Sequence, residues 1–368
     1  NINNNFNLPN NIFSTFNKKF NHNFKFRDIA KFKKFKTVVI IGMGGSSLGS
    51  EAIYDYLKHK IKKEFIFLNN INTLDIKKIK DKKPNNILFV IISKSGNTIE
   101  TISNLLALRI IKKNSKNILI ISEKSDNKLY LLSKKYNLSF IEHKKFIGGR
   151  FSFFSEAGLV PSILMGLKIK ALKENAMSSF DNKNFLKAST IDLASLMGNK
   201  QFNNIVLLNY IPKLNKFLFW LQQLIAESLG KNGKGFSPIV SSAPKDHHSM
   251  LQLYLDGPKN KIFYIFSLSR DLKKEKKIKT KEIILKFLNN KTLNQIKEAQ
   301  KNALIKSLKR KNIPFREFKI KQINEQSLGE LFSYFILETI IIGKLTNINP
   351  FDQPAVEKVK LDTKKLLS

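Results

Sequence analysis

Between residues 37 and 142 the chain alternates short β-branched apolar runs with segments of helical spacing. The runs are "TVVIIG", "EFIFLNN", "NNILFVIIS", "NILIIS" and "LSFIE". Between them lie "SLGSEAIYDYLKH", "TLDIKKIKD", "TIETISNLLALRIIKK" and "NKLYLLSKKY". Short apolar runs closed by turn residues read as strands buried on both faces. Strands and helices alternating through short connections admit few arrangements, and the expected one is a mostly parallel sheet covered by helices on both sides. The rhythm breaks at "GGRFSFFSEAGLVPSILMG" (148–166), a connector leading into a helix, and a helical bridge runs on to about residue 200. A second unit follows, with strands at "NNIVLLNY", "FSPIVSS" and "KIFYIFSL". Its helices are "PKLNKFLFWLQQLIAESLGK", with proline in the first turn, and "DHHSMLQLYLDG", with Asp246 as N-cap and Gly257 as stop. Residues 280–345 read as mostly helical, and "NPFDQPAVEKVKLDTKKLL" reads as a helix capped by Asp352 with Pro354 in its first turn. The expected fold is α/β: an arm over 1–35, then two doubly wound parallel-sheet units with extra helices. They cover 36–165 and 166–368, the latter carrying a C-terminal helical segment.

Composition narrows the function. The 368 residues include no cysteine, which excludes disulfides and thiolate metal sites and suits a reducing compartment. "NINNNFNLPNNIFSTF" lacks the features of a secretory leader, and no apolar run is long enough to span a bilayer. A soluble cytoplasmic protein is expected. The chain opens on Asn1 rather than methionine, which leaves open what precedes it. The formal charge is +37. A nucleic-acid surface would concentrate arginine, whereas here lysine dominates, spreads along the whole chain and rises together with Asn, Ile and Phe. That pattern is compositional drift, and no nucleic-acid partner is expected. An anionic small substrate would be drawn to the same charge.

Two glycine- and serine-rich turns stand at the carboxyl ends of neighbouring expected strands. One is Gly42-Met43-Gly44-Gly45-Ser46-Ser47-Leu48-Gly49, the other Ser93-Lys94-Ser95-Gly96-Asn97-Thr98. Ligands of open parallel sheets bind at that edge, where backbone N–H groups are free and glycine lets the chain come close. A P-loop would need a lysine in register after Gly49, and none is there. A dinucleotide fold would need glycine where Ser47 stands and an acid after the next strand, which ends in Asn69-Asn70. A compact phosphomonoester dianion suits the hydroxyls and Lys94 best. Ordinary helix-capping turns would account for either loop alone.

The series "GMGGSSLG", "SKSGNTIET", "GGRFSFFSEAGL", "QQLIAESLGK", "DHHSMLQ" and "DQPAVEKVK" resembles, in order, the glucose-6-phosphate isomerase (phosphoglucose isomerase) family. That family is built from two sugar-isomerase domains. "SKSGNT" alone would indicate only some sugar-isomerase domain. The resemblance implies that Ser93, Lys94, Ser95 and Thr98 hold the substrate phosphate, with Gly45, Ser46, Gly149, Gln223 and Gln353 lining the same site. It implies interconversion of glucose 6-phosphate and fructose 6-phosphate with no metal or cofactor. It also implies a homodimer in which His248 reaches the partner's site. The alternatives are another sugar-phosphate isomerase or a non-catalytic sugar-phosphate-binding protein of the same fold.

Four residues would carry the chemistry. Glu227 and Gln223, four apart, share the helix face opposite the stripe Leu214, Phe217, Leu218, Leu221, Leu224 and Ile225. Most helical glutamates face solvent. Phe219, Trp220 and Ala226 flank this one and should partly cover it, which suits a general base. The resemblance makes Glu227 the base that moves a proton between C2 and C1. His247 and His248 cannot both face one ligand from a helix, and by resemblance His248 opens the sugar ring. Arg150, after two glycines, is implied to stabilise the enediolate. Lys360 lies two helical turns after Gln353 and is implied to assist His248. Here the chain departs from the family: Val359 replaces the usual glycine before that lysine, and Pro354-Ala355 replace the usual Trp-Gly after Gln353.

Overall fold

A computed structural model describes residues 10–82, 86–178, 183–199, 201–269 and 275–367. The first nine residues of the expected arm, and residues 179–182 and Lys200 of the expected bridge, lie outside the described residues. The first sheet has strands β1 (Thr37–Ile41), β2 (Glu64–Leu68), β3 (Ile87–Ile92), β4 (Ile118–Ser122) and β5 (Ser139–Glu142). The second has β6 (Asn204–Asn209), β7 (Ser237–Ser242), β8 (Lys261–Leu268) and β9 (Phe315–Ile320). All pairings are parallel, in the orders β2-β1-β3-β4-β5 and β7-β6-β8-β9. The α/β class and the parallel sheets are as expected.

Both orders reverse direction beside their first strand, between β1 and β3 and between β6 and β8. Such a reversal leaves a crevice at the carboxyl edge, because the following connections depart to opposite faces. The two turns singled out from the sequence follow β1 and β3, so they flank the first crevice.

Every residue of β3 is buried. Its side chains alternate between two apolar clusters, with Leu88, Val90 and Ile92 on one face and Ile87, Phe89 and Ile91 on the other. The larger cluster also takes Ile205, Leu207, Ile262 and Tyr264 from the second sheet, so one core joins the two sheets. Between the sheets run the helices Glu156–Leu164, Asn215–Leu229 and Glu325–Leu345. Phe153 stacks on Phe332 with ring centroids 3.5 Å apart, and Trp220 lies 4.2 Å from the same ring. Burying each such ring contributes about 1.5–3 kcal/mol. Together they hold the connector carrying Arg150 against the helix carrying Glu227.

Several sequence expectations need correction. Residues 315–320 form an edge strand rather than helix, because Phe315, Phe318 and Ile320 complete β8 with a short, charge-rich run. Asp246 does not begin a long helix: it sits in a 3-10 turn, Lys245–His248, ahead of a helix at Leu251–Asp256, which Gly257 does end. The C-terminal helix is Pro354–Leu366 with Gln353 at its N-cap. Asp352 instead pairs with Lys231 at 2.6 Å.

Candidate active site

The Gly42–Ser46 turn is the hub. Gly45 packs against the connector backbone so closely that a β-carbon would stand 2.2 Å from the Gly149 carbonyl carbon. Ser152 Oγ donates to Gly45 O at 3.2 Å, tying the same two segments. Gly149 opens the 3-10 helix Gly149–Phe154, and Arg150 leaves from its first turn. Ser46 ends the short 3-10 turn Gly44–Ser46 and is half-buried.

Arg150 is 3% exposed and every arm of its guanidinium is engaged. Nε donates to Ser228 Oγ at 2.8 Å. Nη1 donates to Glu227 Oε2 at 3.1 Å and to Gln353 Oε1. Nη2 donates to Pro350 O at 2.6 Å and Asp352 O at 3.0 Å. Burial pulls this guanidinium below the usual arginine range, and the Glu227 carboxylate acts against that pull. The other oxygen of Glu227 accepts from Gln223 Nε2 at 3.0 Å. Trp220 Nε1 donates to Arg150 O at 3.0 Å and fixes the arginine's own backbone. The carboxylate is therefore held at both oxygens while its side chain stays 31% exposed. It borders a cavity of about 480 Å³ that Gly44, Glu51, Asn69, Lys216 and Gln223 also line.

The second turn is braced from behind. Gly96 takes φ +63°, and a β-carbon there would lie 1.8 Å from Asn127 Oδ1. Glu123 N donates to Lys94 O at 3.0 Å, and Leu129 N to Gly96 O at 3.1 Å. Ser93 Oγ and Thr98 Oγ1 lie 2.9 Å apart, so the two hydroxyls form a pair. Ser95 is exposed, and its Oγ accepts from Asn97 N at 3.3 Å. Lys94 Nζ stands 3.7 Å from Glu123. The cavity beside Glu227 does not include this turn in its lining. Gly42 connects the two: its β-carbon position is 2.8 Å from Ile92 O, one residue before Ser93.

Gly45, Gly149, Arg150, Gln223, Glu227 and Gln353 are thus brought together, with Ser93, Lys94, Ser95 and Thr98 on the adjoining strand end. His248 and Lys360 are not joined to them. His248 is exposed, and its side chain has no hydrogen-bond or ion-pair partner among the described residues. Lys360 is exposed and pairs with Glu357 at 2.7 Å. Sequence reasoning missed Ser228 and Asn127. The first follows Glu227 directly, and the second could have been found as the N-cap Asn of the helix Lys128–Lys135. Among the described residues no group of three or more His, Asp or Glu is placed to hold a metal ion, and no helix is long and apolar enough to cross a membrane.

Two parallel sheets, a glycine- and hydroxyl-rich turn at one crevice and an arginine-clamped carboxylate beside it define an α/β protein with a polar site at a reversal of strand order. The phosphoglucose isomerase family model matches residues 15–254. A glucose-6-phosphate isomerase of Methanocaldococcus jannaschii is 34% identical over 89% of this chain and 83% of its own. One from Campylobacter jejuni is 33% identical over 90% and 86%. Among solved structures, a glucose-6-phosphate isomerase of Chlamydia trachomatis superposes with a TM-score of 0.77 at 19% identity, covering 93% of this chain and 71% of that one. A hypothetical protein of Thermus thermophilus gives 0.84 at 24%, covering 93% and 87%. The chain belongs to the phosphoglucose isomerase family.

Proposed function

We propose that the chain interconverts glucose 6-phosphate and fructose 6-phosphate in the cytoplasm. The observation that carries this reading is the carboxylate of Glu227, clamped by Arg150 and Gln223 within contact of the turn after β1. The phosphate docks on Ser93, Lys94, Ser95 and Thr98, beside Gly45 and Ser46, where hydroxyls and backbone N–H groups suit a dianion. Gly149, Gln223 and Gln353 line the sugar. His248, assisted by Lys360, protonates the ring oxygen as the C1–O bond breaks, and the 1-hydroxyl gives its proton to water as the C1 carbonyl forms. Glu227 then removes the C2 proton of the open aldehyde. The C2–H electrons form C1=C2, and O1 takes the negative charge. Arg150, fixed and dry, faces that charge without needing to reorganise. A proton passes from O2 to O1, the C2 carbonyl forms, and Glu227 returns its proton to C1.

The same reading makes the protein a homodimer with His248 serving the partner's site. What supports it is unburied apolar surface: Ile283, Ile284 and Phe287 are 86%, 83% and 71% exposed. Along the helix Pro354–Leu366, Val359 and Leu361 are 65% and 63% exposed. The unit boundaries near residues 36 and 165 belong to this reading too, since each sheet draws its strands from one side of residue 165. A coupled assay for fructose 6-phosphate tests the activity. Mixing and refolding inactive Glu227→Gln with inactive His248→Ala tests the dimer. Shared sites would restore about a quarter of wild-type turnover through mixed dimers. Independent sites would restore none.

A further inference from the structure

His248 stands on the Lys245–His248 turn, and its exposed imidazole has no hydrogen-bond or ion-pair partner among the described residues to orient it. Its placement must come from the turn. Two anchors hold that turn. Asp246 clamps it locally: Oδ2 accepts from Ser241 Oγ at 2.8 Å and Ser242 N at 2.7 Å, and Oδ1 accepts from Ser249 Oγ at 3.2 Å. The second anchor is long-range. His247 Nε2 lies 2.7 Å from Tyr210 Oη, and the two rings meet at 80°. Tyr210 follows β6 at the crevice edge of the second sheet, is 3% exposed, and packs in a cluster with Val206, Tyr254 and Phe263.

The chemistry of this contact is that of a neutral pair. Burial and then the charge of Glu298 raise the Tyr210 hydroxyl, so it stays protonated. Burial lowers His247, the neighbouring His248 pushes it the same way, and Asp246 opposes them. A neutral hydroxyl against a neutral imidazole adds no charge beside His248. It pins the backbone from which His248 projects.

We propose that Tyr210, acting through His247, is a positioning residue for His248, fixing the turn so that the His248 imidazole is presented to the sugar ring. This rests on the reading that His248 opens the ring. The experiment separates ring opening from substrate binding. Enzyme-catalysed interconversion of the α and β anomers of glucose 6-phosphate, followed by exchange NMR, needs ring opening. Affinity for 6-phosphogluconate, a linear acid phosphate, does not. In Tyr210→Phe, anomer interconversion should fall about 5- to 30-fold, the usual consequence of orphaning one partner of a partly buried hydrogen bond. Affinity for 6-phosphogluconate should stay within about twofold. His247→Ala should match it, Tyr210→Phe/His247→Ala should add nothing further, and His247→Gln, which keeps an acceptor, should recover most of the rate. Parallel loss of rate and affinity would mean a merely structural role and overturn the proposal, as would an unchanged anomer rate in Tyr210→Phe. His248→Ala separates the two layers. If it keeps wild-type anomer interconversion, the ring-opening reading and this proposal fall together. If it abolishes interconversion and Tyr210→Phe does not slow it, only the proposal falls.

Discussion

The two sheets share one strand order, β2-β1-β3-β4 repeated as β7-β6-β8-β9, and each opens a crevice beside its first strand. What fills the crevices differs. At the first, glycine- and hydroxyl-rich turns carry Lys94, which is 32% exposed and 3.7 Å from Glu123. At the second, Tyr210, Ser267 and Ser269 border a cavity of about 70 Å³ with Lys301 beneath. That lysine is 3% exposed and bound to Glu317 at 2.5 Å and Glu298 at 2.9 Å. Topology supplies a crevice twice, and side chains leave one of them rich in hydroxyls, the proposed anion site, and fill the other with an internal ion-pair network.

The sharpest way to break that contrast is to remove the second network's cation. Burial alone would lower Lys301, but the Glu317 and Glu298 carboxylates more than offset it and hold its pKa up. Lys301→Met removes the partner of Glu298 and leaves Glu317 with only Ser267 and the exposed Lys319, and should cost about 1–3 kcal/mol of stability, measured by denaturant unfolding. Lys94→Met should leave stability unchanged and weaken inhibition by inorganic phosphate.

A third lysine isolates the role of pairing. Lys173 is also buried, but its Nζ meets a neutral partner, His22 Nε2, at 2.9 Å. Burial lowers its pKa to about 8, only partly countered by Glu156. The unfolded chain then holds that proton up to about pH 10.5, its ordinary value, while the folded chain releases it near 8. Stability should therefore rise between those pH values by on the order of 3 kcal/mol from this group. Lys173→Met should lose that slope relative to wild type, and an unchanged slope would contradict the assignment.

The smallest effects compare the turns directly. Ser93→Ala with Thr98→Ala removes the hydroxyl pair and should weaken inorganic phosphate inhibition about 10-fold or more. Ser269→Ala at the other crevice should change it by less than about twofold.

Much of this contrast could be read from the sequence, and the reasons it could or could not are physical. Gln223 and Glu227 were legible because a helix puts residues four apart on one face, and they do hydrogen-bond. The strands β1 to β8 were legible because each is a short apolar run. Strand β9 was not: "FREFKI" carries three charges, because an edge strand needs apolar residues on alternate positions only. Asn127 was legible as a helix N-cap but not as the brace of Gly96, and the partner of Ser228, Arg150, is distant in sequence, where no periodicity points. Asp246 has the residue type of an N-cap, yet Ser241 and Ser242 at the end of β7 compete for its carboxylate and win. His248 and Lys360 were reachable only through the family's motif order, since within one chain neither meets the cluster around Arg150.

The central claim is that one carboxylate, gripped by Arg150 and Gln223 beside the first crevice, moves the proton. Glu227→Gln keeps the side chain's shape and removes the base. Coupled turnover and calorimetric binding of 6-phosphogluconate, measured on the same preparation, should show activity down by at least about 10³-fold with affinity nearly intact. Turnover near the wild-type rate in that variant would contradict the account.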